Sequence, residues 1–214
     1  FMTLTGARKM DSEKLELVAF SDTHGQHRLV YDVPEGDVLV FAGDMTEHGR
    51  IAEVEDFADW MGGLEHDLKV AVAGNHDYCF EDYRRGEAVE ALEDNGIVYL
   101  ENGSVDYRGV TFYGSPYSNT FDEYVFNEGF GNIPDRADVV ITHGPPRGML
   151  DELGDYGHIG CEELKKALEG RDLEAHIFGH VHQQHGRSGD SYNVSVVDTS
   201  LTVSEKPVEL EIDL

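Results

Sequence analysis

The sequence predicts an α/β protein in which two β-sheets pack face to face with helices on the outside. Three observations carry this expectation. Short, nearly unbroken apolar runs recur at Leu15–Phe20, Val38–Ala42, Leu68–Ala73, Val139–Thr142 and Ala175–Phe178, and such runs mark strands covered on both faces. Segments with apolar residues at helical spacing lie between some of them. Each run also ends on a small polar block, where open α/β sheets carry their sites.

In chain order, residues 1–14 are polar and read as a loose lead-in, leaving 15–214 as one expected domain. Leu15–Phe20 and Val38–Ala42 are the first strands. Over residues 50–62, Ile51, Val54, Phe57, Ala58 and Met61 share one helical face, with Trp60 packing beside it, and Gly62-Gly63 stops the helix. Leu68–Ala73 is the third strand and residues 82–94 a more polar helix. Ile97–Leu100, Ser104–Tyr107 and Val110–Tyr113 read as short strands joined by Asn102-Gly103 and Arg108-Gly109 turns. Residues 115–134 are irregular, with Tyr117, Phe121, Tyr124, Phe126 and Phe130 expected as a core cover rather than a base-stacking wall. Val139–Thr142, a helix from about Gly160 to Leu168, Ala175–Phe178, Tyr192–Val197 and Val208–Ile212 complete the chain.

Composition narrows the function. Asp and Glu number 43 against 16 Lys and Arg, a formal charge of −27, and only six residues are Lys. The acids are spread along the chain, as suits a protein of a salt-rich cytosol where self-repulsion is screened. Such a surface argues against nucleic acid, which needs a basic footprint, and against an anionic membrane. No apolar run approaches the about 18 residues of a transmembrane helix and no secretory leader is evident, so the cytoplasm is the expected compartment. Cys79 and Cys161 do not form a disulfide framework and are expected as small buried side chains. The oligomeric state stays open.

The chemistry lies in five blocks: Asp22-Thr23-His24, Gly43-Asp44, Gly74-Asn75-His76-Asp77, Thr142-His143-Gly144 and Gly179-His180-Val181-His182. Asp22 and His24, two apart just past a strand, can curl toward one ion, while His180 and His182, also two apart, can each take a different ion. A carboxylate such as Asp44 has two oxygens and can serve two ions, while Asn75 offers a neutral oxygen to a hard cation. Nitrogen and oxygen ligation without sulfur suits Mn²⁺, Fe, Zn²⁺, Mg²⁺ or Ni²⁺, with Mn²⁺ the first choice. A metal pair about 3.5–4 Å apart is a device for phosphoryl transfer.

These five blocks, in this order over residues 22–182, resemble the calcineurin-like metallophosphoesterase superfamily. Gly43-Asp44-Met45-Thr46-Glu47, Gly114-Ser115-Pro116, Thr142-His143-Gly144-Pro145-Pro146 and Gly160-Cys161 are similar to its small metallophosphoesterase-domain branch. The resemblance implies a four-layer αββα sandwich of two mixed β-sheets flanked by helices. It implies one metal on Asp22, His24 and His182, a second on Asn75, His143 and His180, and Asp44 bridging them. His76 matches the family's catalytic histidine, and Glu47 stands where some members carry an Asp that orients it. The reaction implied is hydrolysis of a small phosphodiester, a cyclic nucleotide among the candidates, by in-line attack of a metal-bridging hydroxide. A phosphomonoesterase is the nearest alternative, and a non-catalytic scaffold the rival from another class; the unbroken blocks argue against the scaffold. Where protein phosphatases carry Asp-Arg-Gly, this chain has Glu47-His48-Gly49, which argues against a phosphoprotein substrate. Arg147 and His48 are the candidate substrate contacts, and His27, His66, His158, His176 and His185 are expected at the surface.

Overall fold

In the computed structural model the described residues are 14–116, 118–120, 123–125 and 133–214. The lead-in up to residue 13, and Tyr117, Phe121, Phe126 and Phe130 of the aromatic stretch, lie outside them. The elements are β1 (Lys14–Phe20), β2 (Val38–Ala42), α1 (Ile51–Gly62), β3 (Leu68–Val72), α2 (Arg85–Asp94), β4 (Ile97–Tyr99), β5 (Gly103–Tyr107) and β6 (Val110–Ser115). Then follow β7 (Ser118–Thr120), β8 (Glu123–Val125), β9 (Val139–Thr142), α3 (Glu162–Leu168), β10 (Ala175–Phe178), β11 (Gly186–Ser188), β12 (Ser191–Asn193) and β13 (Val208–Asp213).

Two mixed sheets form the centre. One runs β13-β1-β2-β3-β4 and the other β11-β12-β10-β9-β6-β5. The inner strands of both are parallel, and β13, β5 and β11 pair antiparallel at or near the edges. The period of two in each strand sorts the layers. Leu15, Leu17 and Ala19 meet Phe112, Val139, Ile141 and Ile177 between the sheets. Val18, Phe20, Leu39 and Phe41 point the other way, onto Val54, Phe57 and Met61 of α1 and Leu92 of α2. On the far side, Tyr113 and Val140 cover Leu164 of α3. The result is the expected αββα sandwich. The Phe41 and Phe57 rings lie 4.5 Å apart, and Trp60 stands edge-on to Phe20 at 5.8 Å. Both cysteines are free and buried.

Four features differ from expectation, the first being that the stretch expected as irregular carries the antiparallel pair β7–β8. The helix expected over 82–94 begins at Arg85, because the Asp82 carboxylate takes the Arg84 amide and ends the preceding turn. β11 carries no apolar signal and is an edge strand. The strand expected over Tyr192–Val197 leaves its ladder after Asn193. The Val194 amide donates to Phe178, the Ser21 amide to Val194 and the Val196 amide to Ser21, so this segment stitches the second sheet to the first.

Candidate metal centre

All five blocks sit at strand ends on one rim, where backbone hydrogen bonds tie them together. The Asp22 amide donates to Gly43 O, the His24 amide to Asp44 O and the Gly179 amide to His143 O. Asp22, His24, Asp44 and His180 adopt left-handed backbone, with φ of 57°, 44°, 59° and 69°. Each such residue costs about 1–3 kcal/mol and persists where surrounding contacts over-determine it. Here the turn lets Asp22 and His24 face a common point with His182.

The structure brings the seven candidate ligands together. His24 Nε2 lies 3.4 Å from His182 Nε2, which lies 3.5 Å from Asp22 Oδ1. Asn75 Oδ1 lies 2.9 Å from both His143 Nε2 and His180 Nδ1. Asp44 Oδ2 stands between the two groups, 3.7 Å from His24 Nε2 and 3.3 Å from His143 Nε2. Donor atoms held about 2.0–2.2 Å from one ion sit about 3–3.5 Å apart, so this spacing fits divalent cations without sulfur ligands. The oxygens of Asp44 are not equivalent. Oδ1 accepts the His76 amide at 2.8 Å, so Oδ2 alone faces both groups.

Neighbours orient the donors. His143 Nδ1 donates to Ala42 O at 2.8 Å, which turns Nε2 to the cluster. Asp22 accepts from Ser21 Oγ and from the His180 amide at 3.1 Å. Glycines supply the room: a Cβ on Gly74 would collide with Asp44 Oδ1, and one on Gly179 with Asp22 Oδ2.

The electrostatics suit a cation. Burial opposes ionisation of Asp22, but the hydrogen bond and charge of His182, with His143 and His24, hold its carboxyl well below the usual range. Burial likewise opposes, and His143 outweighs it for, Asp44, which is brought down to about 2. Burial disfavours the His143 imidazolium, yet Asp44 pushes it up to about 10. A divalent cation at Asp44 would take over that counter-charge and release the proton. Burial, then the charge of His143, takes His180 down to about 4, leaving it a neutral donor.

Other expected residues lie differently. His76 donates Nδ1–H to the main-chain carbonyl of Glu47 at 3.1 Å, while the Glu47 carboxylate sits 3.3 Å from His24 Nδ1. The carboxylate expected to orient His76 therefore meets a different ring, because the chain at Glu47 turns its carbonyl to His76. Arg147 and His48 are exposed and stand outside the cluster. His27, His66 and His176 are buried rather than at the surface. His176 shares the run Ala175–Phe178, and that position was the signal for burial.

Asp77 is the residue that the sequence reading passed over. Fully buried, its carboxylate accepts the amides of Gly74 (2.8 Å), Asp44 (3.0 Å) and Thr46 (2.9 Å) and the Thr46 hydroxyl (2.8 Å). It thereby fastens the Asp44 block to the Asn75 block. Burial, followed by the charge of Asp44, raises its carboxyl to about 6.

Two packed mixed sheets thus carry at their strand ends a buried carboxylate–imidazole cluster that could hold metal ions, in a protein of the α/β class. The sequence profile of the calcineurin-like phosphoesterases matches residues 15–184, and the chain belongs to that family. It is 33% identical to human metallophosphoesterase domain-containing protein 1 over 92% of this chain and 70% of that protein. It is 40% identical to the Caenorhabditis elegans UPF0046 protein K07C11.7 over 80% of this chain and 65% of that protein. One solved crystal structure superposes with a TM-score of 0.64 at 19% identity, covering 87% of this chain and 92% of the other, a likeness of fold. The chain is thus a phosphoesterase, a hydrolase of phosphate esters. Among the described residues no helix is long and apolar enough to cross a membrane.

Proposed function

We propose that residues 15–214 form one catalytic domain that hydrolyses a small phosphodiester, a cyclic nucleotide among the candidates, in a salt-rich cytoplasm. Two divalent cations, Mn²⁺ first among them, are held by Asp22, His24 and His182 and by Asn75, His143 and His180, with Asp44 shared. The observation that carries this reading is the position of Asp44 Oδ2 between two converging donor groups. When bound, such cations activate water and neutralise charge on the phosphoryl oxygens.

The chain's own groups do the rest. Asp44 Oδ2 draws the two ligand groups to a common point while its Oδ1 fixes the amide of His76. The His76 ring is anchored through Nδ1, so Nε2 is available to a leaving oxygen. A general acid there contributes about 10²–10⁴-fold. Exposed Arg147 lies on the loop that follows His143 and is the candidate grip on substrate phosphate, with His48 beside the Asp44 block. The acidic surface disfavours nucleic acid as substrate.

The test is hydrolysis of bis-p-nitrophenyl phosphate and p-nitrophenyl phosphate with Mn²⁺ in molar salt. Wild type should prefer the diester. His76→Ala should lower kcat by about 10²–10⁴-fold with metal binding kept, and Asp44→Ala should abolish both. Preference for the monoester would make the protein a phosphomonoesterase of the same fold. Metal-loaded wild type with no turnover of either ester would contradict the reading.

A further inference from the structure

We propose that Glu47 is a positioning residue for the cation group of Asp22, His24 and His182, with its side chain serving His24 and its main chain serving His76. The inference rests on the cation-holding role proposed above. His24 is 4% exposed, and its Nδ1 is buried with no partner of good hydrogen-bond geometry. The Glu47 carboxylate lies 3.3 Å away, the only acidic group among the described residues paired with that nitrogen. On the opposite side of the ring, Nε2 faces His182 and Asp44. A carboxylate behind a ligand histidine fixes the tautomer, aims the lone pair of the other nitrogen and raises its basicity.

The same residue holds the neighbouring ring by a different atom. His76 donates Nδ1–H to the Glu47 carbonyl at 3.1 Å, and the His24 and His76 rings stand edge to face at 4.7 Å. Glu47 thus sets two adjacent histidines. The division of labour matters, because a side-chain substitution removes one contact and leaves the other. The Glu47 side chain is one-third exposed, so it can be replaced without opening a core cavity.

The experiment is calorimetric titration of metal-free protein with Mn²⁺, for wild type, Glu47→Ala and Glu47→Gln, with His24→Ala and Asn75→Ala marking which binding step belongs to which group. Glu47→Ala should weaken the step lost in His24→Ala by about 10–100-fold and leave the step lost in Asn75→Ala unchanged. Glu47→Gln, whose amide oxygen still accepts from Nδ1–H, should recover most of the affinity. At saturating Mn²⁺ the kcat of Glu47→Ala should fall far less than the about 10²–10⁴-fold of His76→Ala, since the carbonyl that holds His76 remains. Unchanged affinity at both steps with a lowered kcat would overturn the proposal, because the carboxylate would then be serving His76. Equal weakening of both steps would also overturn it. The titration needs no substrate, so wild type that binds both cations and turns over no ester counts against the proposed function alone.

Discussion

Asp44 divides its oxygens between two tasks, and the division explains why the block around it is so constrained. Oδ1 takes the His76 amide and Oδ2 faces His24 and His143. Asp77 then takes the Asp44 amide itself, so one aspartate is held at backbone and side chain at once. Behind this, His176 is a buried neutral imidazole whose Nε2 lies 2.9 Å from the hydroxyl of Thr142, the residue before His143. Burial takes His176 down to about 3. Its folded value is thus below the ordinary 6.5, so the unfolded chain binds the extra proton. Its stabilising effect is complete above about pH 6.5 and is lost as pH falls toward about 3. Denaturant unfolding of metal-free protein should show an acid limb that His176→Gln makes shallower by about 1.4 kcal/mol per pH unit, one proton's worth. Parallel limbs for the two proteins would show that His176 is not kept neutral by the fold.

Strand ends, more than any single residue, set where the chemistry sits, and that made much of it legible. An apolar run that stops at a small residue followed by Asp, Asn or His announces both the strand and the turn beyond it, so β1, β2, β3, β9 and β10 and their polar blocks could be read from pattern alone. Partners could not. Val194 and Val196 look like strand residues because they are buried, but their hydrogen bonds join the two sheets through Ser21, which no periodicity encodes. Glu47 was legible as a site residue and misassigned in its contact, since a sequence cannot say whether carbonyl or carboxylate meets a given ring. Asp77 was hidden because its task is to hold backbone amides. The glycines of these turns give an element-scale prediction. Gly179→Ala places a methyl group against Asp22 and Ser21. The variant should keep its far-ultraviolet circular dichroism yet lose Mn²⁺ affinity. Full affinity would mean that the turn after β10 shifts freely.

Across the whole molecule, the excess of acidic charge is a destabilising influence. A formal charge of −27 on 214 residues repels itself. Screening shortens from about 10 Å at 0.1 M salt to about 3 Å at 1 M. Raising KCl from about 0.1 M to about 2 M should therefore raise the urea midpoint of the metal-free protein markedly, and Mn²⁺ should recover part of that gain at low salt. A midpoint independent of KCl would contradict salt adaptation. The two sheets and the helices of the sandwich enclose three apolar clusters among the described residues. What the fold adds is a rim where five strand ends meet, with carboxylate and imidazole groups that could hold metal ions. The decisive measurement is anomalous diffraction from crystals grown with Mn²⁺. Two ions about 3.5–4 Å apart, on either side of Asp44 Oδ2, are predicted; a single ion, or ions bound away from Asp44, would contradict a two-metal phosphoesterase.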